Sequence, residues 1–186
     1  MLVISFFFVY NNNVIYMKTK VINYDKLKEE DITDKVTRVK ALMLNSKKEI
    51  LLATAYTTIQ FPVGHLESPE TLNEALKREI MEETGIILNK EYEPFFCLKY
   101  MVKDYPKKGN NRLLEIYYFY LFTDEPYNLA NTHFDEQENE GGFTLKYVPF
   151  KGLKKYLKKN IGDLEINKVV THEMLLALKE FKRIFK

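Results

Sequence analysis

Apolar positions follow two periodicities along the chain. Val36, Val39, Ala41 and Met43, then Ile50, Leu51 and Leu52, are the apolar members of two predicted strands, and Asn45-Ser46-Lys47-Lys48 carries the turn chemistry between them. The pattern changes at FPVGHLESPETLNEALKREIMEETGI, which reads as loop, helix, loop. That helix is predicted over 69–84, with Ser68 at the N-cap, Pro69 at the first helical position and Gly85 just past the last turn. EPFFCLKYMV and LLEIYYFYLF follow as long apolar-aromatic strands around the turn-forming loop KDYPKKGNNR. Beyond the acidic FDEQENEGG segment come a short strand, FTLKYV, and a basic amphipathic helix over 150–159 opened by Pro149. Thr171 is placed as the cap of a last helix carrying Met174, Leu175, Leu178, Phe181 and Phe185 on one side. Strands and three helices in this order predict an α+β fold, a mixed sheet covered on both faces. No internal repeat and no Gly/Ser-rich linker divides residues 20–186, which are read as one domain whose first stretch, 20–34, is irregular or an edge strand.

The N-terminal run Leu2 to Tyr10 is apolar except for Ser5. It is far shorter than the roughly 20 residues that cross a bilayer, and no basic residue precedes it as in a secretory signal. A short strand, a tail, or residues ahead of a start at Met17 are the three readings. Residues 1–19 are expected to be a tail or start-site extension, because Met-Lys-Thr-Lys is an ordinary soluble start.

Composition narrows the class without naming a function. Hydrophobic residues make up 46% and aromatics 14% of 186 residues, which excludes intrinsic disorder and collagen-like chains. A net charge of +2 argues against a polyanion-wrapping protein, so no specific nucleic-acid partner is expected, and no membrane partner either. The lone Cys97 allows no internal disulfide and no multi-cysteine zinc site, which makes a reducing, cytoplasmic setting the expectation.

The chemistry is concentrated in the first helix. At about 100° per residue from Leu72, Leu76, Ile80 and Ala75 form an apolar stripe, and Glu83, Glu79 and Glu82 fall at about 20°, 340° and 280° on that same side. Carboxylates gathered on an inward stripe repel one another and lose hydration. They also sit in the last turn, where the helix dipole favours cations. A hard divalent cation such as Mg²⁺ or Mn²⁺ would offset this cost, since the donors are all oxygen. A solvated charged helix end is the bland alternative.

The wider spacing is itself a signature: Gly64, five residues, Glu70, seven residues, Arg78-Glu79-Ile80, one residue, Glu82-Glu83, one residue, Gly85-Ile86. By average residue usage this pattern arises by chance on the order of 10⁻⁷. It resembles the complete Nudix box of the MutT-like Nudix hydrolases. Pro62 with Gly64-His65 is similar to that family's Pro-Gly-Gly-His approach to the box, except that Val63 stands where many members have glycine.

The resemblance implies a Nudix fold, a mixed β-sheet between helices in an α/β/α sandwich. It also implies a Mg²⁺- or Mn²⁺-dependent pyrophosphohydrolase acting on a nucleoside diphosphate linked to another moiety. Glu79, Glu82 and Glu83, with the Gly64 carbonyl, are the implied metal ligands. Glu79, Glu82, Glu83 and Arg78 make up the catalytic set, with Glu70 and Arg78 bracing the loop and orienting the carboxylates. Members place the general base either at the box glutamate, here Glu79, or on a loop beyond the sheet, where Asp135, Glu136, Glu138 and Glu140 stand. Glu115 is a weaker candidate. The nucleotide-type substrate itself is left unassigned, as is a homodimer, common in the family. His65 and the loop cations Lys103, Lys107, Lys108 and Arg112 are weak candidates for phosphate contact, and Tyr56, Phe61 and Tyr100 for stacking a base. A nucleotide sensor that keeps the fold without turnover is the rival reading.

Overall fold

The computed structural model describes residues 7–10, 13–133 and 142–185. Phe7–Tyr10 (β1) and Asn13–Tyr16 (β2) pair as a two-stranded antiparallel ribbon, so the short-strand reading holds for that part of the N-terminal run. The main sheet contains Lys18–Ile22 (β3), Asp34–Leu44 (β4), Glu49–Ala55 (β5), Thr58–Gln60 (β6), Val63–His65 (β7), Pro94–Val102 (β8), Arg112–Phe122 (β9) and Thr144–Pro149 (β10). Its order is β10-β5-β4-β9-β8-β3, with β6 beside β5 and β7 beside β4. β4 runs parallel to β9 and β3 parallel to β8, while the β4/β5, β5/β10, β4/β7 and β8/β9 pairs are antiparallel.

Alternation along β4 sorts the two faces. Val39, Ala41 and Met43 pack with Ala75, Leu76 and Ile80 of the helix Leu72–Thr84 (α1). Leu42 faces the other way, into a cluster with Met174, Leu178 and Phe181 of the helix Glu165–Ile184 (α3) and Leu153 and Leu157 of the helix Leu153–Lys159 (α2). The result is the expected sandwich of a mixed sheet between helices.

Three helix starts differ from expectation, each because a better cap or a longer stripe prevails. α1 begins at Leu72 rather than at residue 69. Thr71 accepts from the Glu74 N–H while Glu74 accepts from the Thr71 N–H, a reciprocal box that Ser68 cannot match. Pro149 closes β10 instead of opening a helix, and α2 starts after Gly152, whose φ of +103° suits glycine. Thr171 lies inside α3, buried on a stripe with Asn167, Val170, Met174, Ala177, Leu178 and Phe181. That helical spacing runs through the threonine and extends the helix back to Glu165.

Gly85 ends α1 as expected, at φ +70° with its N–H donating to the Met81 carbonyl. A Cβ there would stand 2.3 Å from the Asn128 carbonyl oxygen. The loop after β9 is folded onto this helix end, since the Asn128 and His133 N–H groups donate to the Thr84 and Glu82 carbonyls at 2.8 and 2.9 Å. Gly85→Ala is therefore expected to destabilise the fold by about 2 kcal/mol, from left-handed strain plus displacement of this loop. A denaturation midpoint equal to that of the parent chain would contradict this packing.

Candidate active site

The site is assembled where the C-terminal half of α1 meets the short strand β7. Because α1 starts at Leu72, Glu70 stays on the preceding turn, from which Arg78 can reach it. Arg78 is the hub. Its Nε and Nη2 donate to the two Glu70 oxygens at 2.7 and 2.9 Å, a bidentate fork, and Nη2 also donates to the His65 carbonyl at 2.9 Å. Nη1 donates to Glu79 at 2.9 Å and to Glu82 at 3.1 Å. The bond from Arg78 holds the Glu70 carboxyl below the usual range, and Glu70 in turn holds the guanidinium firmly charged.

The other carboxylates are gripped by the backbone of β7. Glu79 accepts from the His65 N–H at 3.0 Å, and Glu83, only 2% exposed, accepts from the Val63 N–H at 3.0 Å. Gly64 lies between these contacts and its absent side chain is what allows them. A Cβ at Gly64 would come within 1.6 Å of the Glu79 carboxyl carbon. Burial pushes the Glu79 carboxyl up to about 7, with the Arg78 charge opposing that shift.

Gly64, Glu79, Glu82 and Glu83 line one cavity of about 360 Å³ together with Arg38, Tyr56, Gln60, His65, Arg78, His133 and Phe143. The three glutamates share this cavity without closing on one point. Among the described residues no three His, Cys, Asp or Glu side chains gather as a cage for an ion. In kind, though, the donor set suits a hard divalent cation, since Glu79, Glu82, Glu83 and the Gly64 carbonyl offer oxygen alone.

A family model, the NUDIX domain, matches residues 34–167. The chain belongs to the Nudix family. Among solved structures, a MutT protein from Methanosarcina mazei Go1 aligns with 83% of this Nudix chain and 98% of its own at 17% identity, TM-score 0.50. The NUDIX domain of Shewanella oneidensis NrtR, solved as a complex with ADP ribose, aligns over 87% and 96% at 10% identity, TM-score 0.53. These identities speak for the fold. No curated protein sequence matches this one.

The Nudix box residues named from sequence are thus together in one place, with Glu70 and Arg78 as a brace. Other candidates are not. Glu115 lies in a separate cavity of about 810 Å³, buried between Lys35 and Lys99 at 2.6 and 2.5 Å, so it is a structural ion pair away from the box. Phe61 is fully buried in the core and Tyr100 packs against the α3 side, which leaves Tyr56 as the one of the three aromatics on the cavity wall. Lys103, Lys107 and Lys108 are exposed on the β8–β9 loop, Arg112 bonds to Asp34 at 2.5 Å, and none of them lines the box cavity. Asp135, Glu136, Glu138 and Glu140 lie outside the described residues. Arg38 and His133 line the cavity too, although no motif in the sequence marks either one for the site. Arg38 is recognisable only once β4 and β7 pair and set it opposite His65. No described helix is long and apolar enough to cross a membrane.

Proposed function

We propose that this Nudix protein is a divalent-metal-dependent pyrophosphohydrolase that cleaves a nucleoside diphosphate derivative by attack of water at phosphorus. The observation that carries the reading is the set of Glu79, Glu82 and Glu83 on one cavity wall, braced by Arg78 and Glu70. Glu82 and Glu83, with the Gly64 carbonyl, are the groups that would hold Mg²⁺ or Mn²⁺. A bound cation supplies charge neutralisation at the phosphates and a more acidic water. Glu79, whose carboxyl burial pushes up to about 7, is the group that would take the proton of the attacking water. As the new P–O bond forms, the bridging P–O bond breaks and its electron pair leaves with the departing phosphate. The products are a nucleoside monophosphate and a second phosphorylated compound. Arg78 bridges Glu79 and Glu82 through Nη1 and orients both carboxylates.

ADP ribose in the NrtR domain of the same fold sets nucleoside diphosphate chemistry as the first ligand class to try. A turnover panel of nucleoside triphosphates, ADP-ribose, nucleotide sugars and dinucleoside polyphosphates tests the proposal with Mg²⁺, Mn²⁺ and chelator. One class is expected to turn over with metal, and chelator is expected to abolish it. Metal binding with no turnover anywhere on the panel would favour a nucleotide sensor. Absence of Mg²⁺ or Mn²⁺ binding would sink both readings.

A further inference from the structure

The cavity is lined by cationic groups as well as by the three glutamates. Glu79, Glu82 and Glu83 reach it from α1, which covers one face of the sheet. Arg38 has the strand parity of Leu42, whose side chain lies on the opposite, α3 face, yet it too lines the cavity. The cations near His65 are differently engaged. Arg78 is fully occupied by Glu70, Glu79, Glu82 and the His65 carbonyl, and Arg112 is tied to Asp34. Arg38 donates through Nε to His65 Nε2 at 3.1 Å, a neutral acceptor, and has no carboxylate within ion-pair distance among the described residues. The carboxylate that acts on it most strongly is Glu173, which is itself bonded to Lys40 at 3.1 Å.

A half-buried guanidinium that lines the same cavity as three carboxylates is bonded to an imidazole instead of to one of them, and both its Nη groups are without a partner among the described residues. Its planar fork matches two oxygens of a phosphate. The Nε bond to His65 fixes the plane of that fork. Lysine would present a point charge there and lose the bidentate match.

We propose that Arg38, oriented by His65, forms a direct phosphate-binding subsite of the cavity, taking a phosphate group of the ligand without an intervening metal ion. The identity of that ligand as a diphosphate rests on the function proposed above; the subsite itself rests on the geometry of Arg38. It divides the work of holding a diphosphate: the α1 carboxylates would hold the cation that neutralises it, and Arg38 takes phosphate oxygens directly.

The test is calorimetric binding of inorganic pyrophosphate to the full chain in chelator, for the parent, Arg38→Gln and Arg38→Lys, with thermal unfolding of each as a folding control. The parent is expected to bind, Arg38→Gln to bind at least tenfold more weakly, and Arg38→Lys to fall between them. Once a substrate is known, Arg38→Gln should raise KM about tenfold or more while lowering kcat by less than about threefold. Equal affinity of parent and Arg38→Gln, or no metal-free binding by the parent, overturns the subsite. Pyrophosphate binding that depends on Arg38 in a protein without turnover would keep the subsite and remove the hydrolase reading. Turnover with an unchanged KM in Arg38→Gln would do the reverse.

Discussion

Glu82→Gln is expected to cut metal-dependent turnover by about 10²- to 10³-fold while the protein folds at nearly its parent stability. The two halves of this expectation come from different facts. Glu82 is about one-third exposed and contacts Arg78 as an i, i+4 pair at 3.1 Å, an interaction worth only about 0.3–0.5 kcal/mol on a helix surface. Glutamine keeps the length and an oxygen toward Arg78, so the brace survives. It removes the negative charge that would hold a cation, and losing several kcal/mol of charge stabilisation at the phosphates corresponds to two or three powers of ten in rate. Steady-state kinetics at saturating Mg²⁺ and a denaturant curve read the two parts separately. Full activity in Glu82→Gln would show that the ligand assignment is wrong. A loss of activity matched by a collapse of stability would show that Glu82 is structural.

Gly64→Ala is expected to have an effect of similar size on turnover by a steric route. The added methyl would fall 1.6 Å from the Glu79 carboxyl carbon and 2.0 Å from its Oε1, so Glu79 must leave its position. Leaving it breaks the bonds from the His65 N–H and from Arg78 Nη1. Because the displaced group is a side chain and the surrounding backbone can stay, the folding cost is about 1–3 kcal/mol. Turnover should fall by about 10²-fold or more, as expected for a misplaced proton acceptor. A double-mutant cycle with Glu79→Ala makes the cause visible. With the carboxyl already gone, Gly64→Ala should cost little further stability or activity. Full additivity of the two substitutions would mean that Gly64 acts through something other than contact with Glu79.

Strand and helix order were largely legible in the sequence because binary patterning survives wherever an element has one buried face. β4, β5, β8 and β9 fall where alternation and apolar-aromatic runs place them. Helix starts were less legible. Thr71 displaced Ser68 through a reciprocal bond with Glu74, and Thr171 looked like a cap while lying mid-helix. A cap residue type is common, but only the partner three residues on, or the continued stripe, distinguishes a cap from an interior position.

The box showed a similar division. Helical spacing alone puts Glu79, Glu82 and Glu83 together, because residues three and four apart share a helix face whatever the rest of the chain does, whereas Glu70, Arg78 and Gly64 come from the resemblance to the Nudix box. Sequence spacing could not show that Arg78 spans Glu70, Glu79 and Glu82, nor that Glu83 is satisfied by the Val63 N–H. It could not separate Glu115, locked between two lysines in another cavity, from an acid of the site. Nor could it find Arg38, which lies 40 residues before Arg78 in the chain and reaches the cavity only through the β4–β7 pairing. Local order along one helix is written in consecutive residues. What surrounds that helix depends on which strands pair and in what register, and those contacts are fixed only when the two faces of the sheet are buried together.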